Sequence, residues 1–415
     1  MKRAVLLAVA AVAALVTLPA ALGGSQATPG ISSKIILIGG TFPLTGPASS
    51  YAPIPRGIAA FFSYVNTTKG PDGKKGVGGR QILFKYYDDA YNPATTVDQT
   101  RRLVESDKVF ALLGGLGTEP QLAVRDYLNQ KQVPQLYVST GATTFDADSA
   151  KYPWTLGWQP DYQAEGAIYG KQIAKNDPNA KIAIIEQNDD YGHDYHAGLV
   201  SGLGSHKNQI VLTRGFNVAD PSIASQLLDL RRTGADTLVI FATPAKTIQT
   251  YATLPRIGWK PDKIYLNSVS ATDAFMTTAV RLAGADAVNG SISVQYLKDP
   301  ANPEWNNDKG MKLYKSIADK FLPSDANKND SLYLYGMAKA WDFVELMRKL
   351  GKNPTRTALM KLARNITITD NPFALPKVVS RTSGGDQFPI QQERLIKFNN
   401  GTWSAIGPVI NGRGK

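Results

Sequence analysis

Hydroxyl, glycine and aromatic residues cluster in short stretches directly after apolar runs, and these stretches hold the polar chemistry of the sequence. Gly114-Gly115-Leu116-Gly117-Thr118 leaves the apolar run 109–113 and enters a helical pattern that begins near Glu119 or Pro120. Glycine lets the backbone approach a guest closely, and a helix start offers unpaired N–H groups at the positive end of its dipole. With the Thr118 hydroxyl these groups form a clamp for a carboxylate or similar oxyanion; a packing turn capped by Thr118 is the competing use. Ser139-Thr140-Gly141-Ala142-Thr143-Thr144 follows the run 133–138 and can complete the same clamp. Thr45-Gly46-Pro47 to Tyr51 brings an aromatic ring over it. Later in the chain, Glu186 to Tyr191 and Phe241 to Ala245, which includes Thr243, occupy equivalent positions. Tyr191 reads either as a flat lid or as core packing.

The tools of hydrolysis and redox chemistry are missing. There is no cysteine, no Gly-x-Ser-x-Gly elbow and no phosphate loop ending in Gly-Lys-Ser/Thr. His193, His196 and His206 fall on one predicted helix, and no neighbouring acid completes a metal motif with the first two. A surface helix explains them better. The glycines at 70, 73, 76, 78 and 79 precede a strand without entering a helix, so they read as a surface turn. No catalytic residue, cofactor or metal is expected, and an enzyme is the weaker reading.

The elements that must position these stretches follow from apolar periodicity. Between Lys34 and about Gly290, strand-length apolar runs alternate with helical segments, which predicts an α/β fold with parallel strands joined by helical crossovers. Strands are expected at 34–39, 81–87, 109–113 and 133–138; the pattern restarts near Asp161, with strands at 181–185, 210–216, 237–241 and 263–266. Two similar halves are implied. A helix at 55–66 places Ile58, Phe61, Phe62 and Val65 on one face, and Asn92-Pro93 joins a cap residue to proline at the first helical position. Further helices are expected at 192–206, 304–321, 331–350 and 355–364, and a hairpin turns at Asn399-Asn400-Gly401. Open α/β sheets bind ligands at the carboxyl ends of their strands, where the candidate stretches lie.

Met1 to Ala27 carries Lys2 and Arg3, an apolar run from 4 to 22, and Ser25-Gln26-Ala27. That is the order of a secretory signal peptide cut after Ala27, with a membrane anchor as the alternative. Cleavage leaves 388 of the 415 residues, enough for two compact units. Lacking cysteine, the chain must rely on packing rather than disulfides and has no site for lipid modification at a mature terminus, so a soluble periplasmic or secreted product is expected. The formal charge is +12, or +10 without Lys2 and Arg3, but the densest basic pairs, Lys74-Lys75, Arg101-Arg102 and Arg231-Arg232, are isolated. A solvated basic surface is expected, and no nucleic-acid partner.

At these residues the chain resembles the leucine/isoleucine/valine-binding family of periplasmic binding proteins that serve ABC transporters, over about residues 34–408. The resemblance is carried by the order and spacing of Gly39-Gly40-Thr41-Phe42-Pro43-Leu44-Thr45-Gly46, Gly78-Gly79-Arg80, Tyr87-Asp88-Asp89, Asn92-Pro93, the loop 114–118 and Asp190-Tyr191-Gly192. It implies a type I periplasmic binding protein fold: two doubly wound parallel-sheet lobes joined by a three-crossover hinge. Each lobe would be discontinuous, with residues 34–157 and 294–371 in the first and 158–293 and 372–410 in the second. Crossings are expected near Gly157, Ser293 and Asn371. By resemblance, a ligand carboxylate is held at Thr118, at Gly141 or Ala142, and at Thr143, with Tyr51 alongside. Tyr191 and the strand end from Phe241 to Thr243 then close over it.

Two departures from the family stand out. The acid that pairs with the ammonium of amino-acid ligands is matched here by Ser268, and burying an unpaired ammonium is costly. A plain branched-chain amino acid is therefore not expected unless Glu119, Glu186 or Asp189 substitutes. A first-lobe disulfide of some members maps to Tyr91 and Gly117, neither of them cysteine. The resemblance implies the solute-binding component of an ABC importer, taking a small carboxylate- or amide-bearing molecule by hinge closure and presenting the closed form to a membrane permease. A monomer is expected. The alternatives are an amino-acid-specific member of the same family and a ligand sensor or receptor subunit.

Overall fold

In the computed structural model, which describes residues 28–413, the apolar runs become strands of two separate sheets. The expected signal segment, Met1 to Ala27, lies outside the described residues. The first half supplies β1 (Ile35–Phe42), α1 (Pro53–Thr67), β2 (Gln81–Asp88), α2 (Pro93–Arg101), β3 (Ala111–Leu113), α3 (Thr118–Gln130), β4 (Gln135–Val138), α4 (Thr144–Ala147) and β5 (Thr155–Gly157). Its strands lie parallel in the order β2-β1-β3-β4-β5. The Asn92 side chain accepts from the backbone N–H groups of Ala94 and Thr95 with Pro93 next to it, the capping expected of that pair.

The pattern then repeats. α5 (Tyr162–Asn176), β6 (Ile182–Gln187), α6 (Asp190–Leu203), β7 (Ile210–Phe216), α7 (Ala224–Arg232), β8 (Thr237–Phe241), α8 (Pro244–Thr253), β9 (Lys263–Leu266), α9 (Asp273–Ala283), α10 (Ala285–Val288) and β10 (Ile292–Gln295) follow in turn. The chain returns to the first sheet through α11 (Lys309–Phe321), α12 (Ser331–Leu350) and α13 (Arg356–Ala363), then β11 (Thr367–Ile368) and β12 (Ser380–Arg381), which pair antiparallel. Finally the hairpin β13 (Gln392–Asn399) and β14 (Thr402–Asn411) adds antiparallel strands to the second sheet, giving the order β14-β13-β10-β9-β8-β6-β7.

Separate cores hold the two lobes. In the first, Ile58, Phe61 and Phe62 of α1 pack with Met337, Phe343 and Val344 of α12, nearly three hundred residues later in the chain. In the second, Leu238 and Ile240 of β8 pack with Ile396, Phe398 and Trp403 of the terminal hairpin. The chain passes between lobes after β5, after β10 and between β12 and β13. The third passage comes later than Asn371, because Phe373, Leu375 and Val378 still pack in the first core. His206 lies in a 3-10 turn (Gly204–Gln209) beyond α6 rather than on the helix of His193 and His196. No helix of the described residues is long and apolar enough to cross a membrane.

Candidate ligand-binding cleft

The carboxyl ends of the parallel strands of both sheets meet at a cavity of about 120 Å³. From the first lobe come Tyr51 after β1, Gly117 and Thr118 after β3, Ser139 after β4, Gln159 after β5 and Tyr335 near the start of α12. From the second come Tyr191 after β6, Thr243 after β8, and Ser268, Val269 and Thr272 after β9. The stretch after β10 adds Tyr296, Leu297, Lys298 and Asp299. Every donor stretch thus occupies the position where a crevice outside a parallel sheet forms.

Five of the nine candidate residues line this cavity: Tyr51, Thr118, Tyr191, Thr243 and Ser268. Gly141, Ala142, Thr143 and Phe241 do not. A methyl group on Gly141 would lie 2.1 Å from the carbonyl oxygen of Pro160, so this glycine serves a close backbone approach beside the Tyr162 ring. Ala142 is fully buried in a core cluster, and Phe241 stacks on Tyr195 with ring centroids 5.0 Å apart. Thr143 faces the other lobe: its backbone N–H donates to Asp194 Oδ2 at 2.6 Å, and its hydroxyl stands 3.5 Å from Asp161 Oδ1. The partner of Thr118 is instead Thr140, with the two hydroxyls 2.7 Å apart. On the first-lobe side Thr118 and Ser139 line the cavity and Thr143 does not.

Gly117 precedes α3 at φ +103°, a conformation L side chains rarely adopt, and a methyl there would lie 2.6 Å from Tyr91 Cε2. Tyr91 and Gly117 are thus in contact, and both line the cavity. Gln159, Tyr296 and Tyr335 were missed as lining residues. Gln159 follows the three-residue strand β5, too short for a periodic signal, and Tyr335 sits in a helix whose apolar residues read as core.

Ser268, set by the resemblance against the ammonium-pairing acid of amino-acid binders, has an acid behind it. Glu165 on α5 is buried and accepts from Ser268 N (2.7 Å), Ser268 Oγ (2.7 Å), Tyr169 OH (2.7 Å) and Tyr195 OH (2.9 Å). Burial pushes its carboxyl above the ordinary range, and the donor set pulls the other way. With four donors already on its two oxygens, Glu165 orders the Ser268 turn and stays out of the cavity lining. The three suggested substitutes are also engaged elsewhere or outside the lining. Glu186 faces His196 Nδ1 at 2.7 Å, Asp189 caps α6 through the backbone of Gly192, and Glu119 is not among the lining residues. Among the described residues, Asp299 is the one carboxylate in the lining.

Tyr51 links the lobes directly. Its hydroxyl donates to the carbonyl oxygen of Val269 at 3.2 Å, and its ring meets Phe275 edge to face at 6.4 Å. Tyr51→Phe should weaken closure by about 1 kcal/mol while leaving the ring contact intact. Small-angle scattering of the variant with and without a bound solute checks this; an unchanged closed fraction would show the hydrogen bond to be idle.

The sequence pattern of the periplasmic binding protein family matches residues 36–402. The chain belongs to that family. Members of the family bind small ligands without converting them, and those of ABC transporters deliver them to membrane permeases. This binding protein is 24% identical over 208 residues to the Leu/Ile/Val-binding protein homolog 2 of Brucella abortus (strain 2308), a match covering 50% of this chain and 54% of that protein. The match thus spans about half the length of this curated relative. Among solved structures, a branched chain amino acid ABC transporter protein from Thermus thermophilus with bound valine superimposes with a TM-score of 0.78 at 16% identity, covering 92% of this chain and 97% of its own. A fatty acid ABC transporter substrate-binding protein from Thermomonospora curvata gives 0.74 at 17% identity, with 92% and 94% covered. At such identities the likeness shows the fold: a type I periplasmic binding protein with two α/β lobes.

Proposed function

We propose that this chain is the extracytoplasmic solute-binding component of an ABC importer, closing its lobes on a small molecule with a carboxylate or amide head. The reading rests on one observation above all, a cavity lined from both lobes by the carboxyl ends of their strands. Thr118 and the first turn of α3 offer hydroxyl and backbone donors for the head group, while Ile54, Leu116, Val269 and Leu332 give its body an apolar seat. The occupied Glu165 and the missing acid at Ser268 argue against a ligand held chiefly through an ammonium. The two structural neighbours, one with bound valine and one named for fatty acids, support a carboxylate as the shared feature. The permease would recognise the closed lobes, and the chain would act as a monomer.

A thermal-shift screen over amino acids, aliphatic and aromatic carboxylates and their amides tests the reading, because binding to the folded state raises its melting temperature. The expected result is stabilisation by at least one carboxylate or amide together with a more compact molecule in small-angle scattering. Thr118→Val should weaken a carboxylate solute by about 1.5–3 kcal/mol, the value of a hydrogen bond to a charged group. A screen in which no solute alters either melting or compactness overturns the assignment.

A further inference from the structure

Lys339 on α12 is fully buried, and nothing described so far uses it. Its ammonium donates to Ser139 Oγ and to Tyr335 OH, the latter at 3.0 Å, and lies over the Tyr335 and Trp158 rings, 4.4 and 5.1 Å from their centroids. No carboxylate of the described residues pairs with it. Asp342, three residues on, instead accepts from Trp158 Nε1 at 2.9 Å, from Asn371 Nδ2 at 2.8 Å and from Ser380. A buried amine without a counter-charge is costly to keep protonated, and burial accordingly pulls its pKa well down.

The position of this amine is what gives it a use. Both hydroxyls that accept from it, Ser139 and Tyr335, line the cleft, so the charge sits one side chain behind the cleft wall. Those hydroxyls direct their own protons elsewhere, Ser139 to the carbonyl oxygen of Gly114 at 2.7 Å and Tyr335 to Gln159 Oε1 at 2.7 Å. Thr118 and the unpaired N–H groups of the first turn of α3 stand on the same side of the cleft. A negative head group placed against them would meet the start of a helix in front and an ammonium behind.

Resting on the ligand-binding reading above, we propose that Lys339 is the counter-charge of the solute: an anionic head group against Thr118 and Ser139 holds the amine in its ammonium form, so the cleft selects carboxylates over amides of the same shape. Binding is then linked to proton uptake at Lys339, and carboxylate affinity falls as pH rises. The other groups against the amine are Tyr335 on its own helix, Ser139 after β4, Gly114 after β3 and Trp158 after β5; of these only Tyr335 titrates, and burial raises its pKa further.

Acetate, isovalerate and benzoate, each set against its own amide, are the probes, with the full protein in thermal-shift and calorimetric titrations. The acids should stabilise the protein and the amides should not. Calorimetry in two buffers of different ionisation heat should register uptake of about one proton per acid bound. Lys339→Met should erase the proton uptake and weaken the acids about 30-fold, about 2 kcal/mol, without affecting the amides. Amides binding as well as acids, acids binding with no proton uptake, no response to any of the acids, or a Lys339→Met protein that keeps the preference would each overturn the inference. Should that variant not fold, proton uptake by the unaltered protein decides. If a neutral or cationic solute closes the cleft, the Lys339 inference fails and the binding function stands; if no solute does, both fail.

Discussion

Gly198→Ala is expected to destabilise the second lobe by about 3 kcal/mol, the upper part of the range for overpacking a tight contact. α5 and α6 cross with their backbones nearly touching. A methyl on Gly198 would lie 2.1 Å from the Gln163 carbonyl oxygen, and one on Gly166 would lie 2.3 Å from that of Tyr195. Gly170 and Gly202 repeat the arrangement one turn along, against Leu199 and Ala167. The opposing atoms are main-chain oxygens, which cannot rotate away as a side chain would, so an added methyl must push the helices apart. That separation reaches the cleft, since α6 begins beside Tyr191 and α5 carries Tyr162 and Glu165. Chemical denaturation followed by hydrogen exchange should show amides of α5 and α6 losing protection while α1 and α12 keep theirs. Unchanged stability and protection would show that the helices can separate freely.

Stability is expected to fall as pH rises from about 4 to about 8. Burial, followed by the charge of Asp299, pushes the carboxyl of Asp273 up to about 8. Burial likewise lifts Asp299, Asp330, Asp342 and Asp89 to about 6. A carboxyl whose pKa is raised by folding favours the folded state fully below its ordinary pKa, and that contribution is lost as pH climbs through the raised value. Asp88, Asp107 and Asp308 act oppositely: despite burial, hydrogen bonds, joined at Asp107 and Asp308 by neighbouring cations, hold them below the ordinary range, so their contribution disappears in strong acid. The stability maximum should therefore lie near the ordinary carboxylate pKa, at about pH 4. Asp273→Asn should flatten the upper part of the decline, because it removes the acid raised to about 8. Melting temperatures measured across that range check both statements, and stability that climbs with pH would contradict the burial of these acids.

Periodicity along the chain was enough for most strands of both halves. The runs 210–216, 237–241 and 263–266 became β7, β8 and β9 with the expected bounds; for the central strand β8 this is because a buried parallel strand is a continuous apolar run and needs no distant partner to be recognised. Asn92-Pro93 and the glycine turn before β2 were equally local. β5 was not legible, since three residues carry no period, and neither was α9.

The candidate site divides along the same line. Tyr51, Thr118, Tyr191 and Thr243 lie in stretches that leave strand ends, and strand ends in a parallel sheet point to one edge; Ser268 was legible only through the family resemblance. Thr143 and Phe241 looked equivalent in the sequence. Which neighbour of a strand end faces the cleft depends on a rotation of one or two residues, and only packing against Asp194 and Tyr195 fixed it. The placing of Glu165 behind Ser268 and of Lys339 behind Ser139 joins residues 103 and 200 positions apart. By itself the sequence determined two α/β halves with polar strand ends; the tertiary structure alone decided which charges stand behind that cleft, because electrostatic partners are set by distance in space, and no local pattern encodes it.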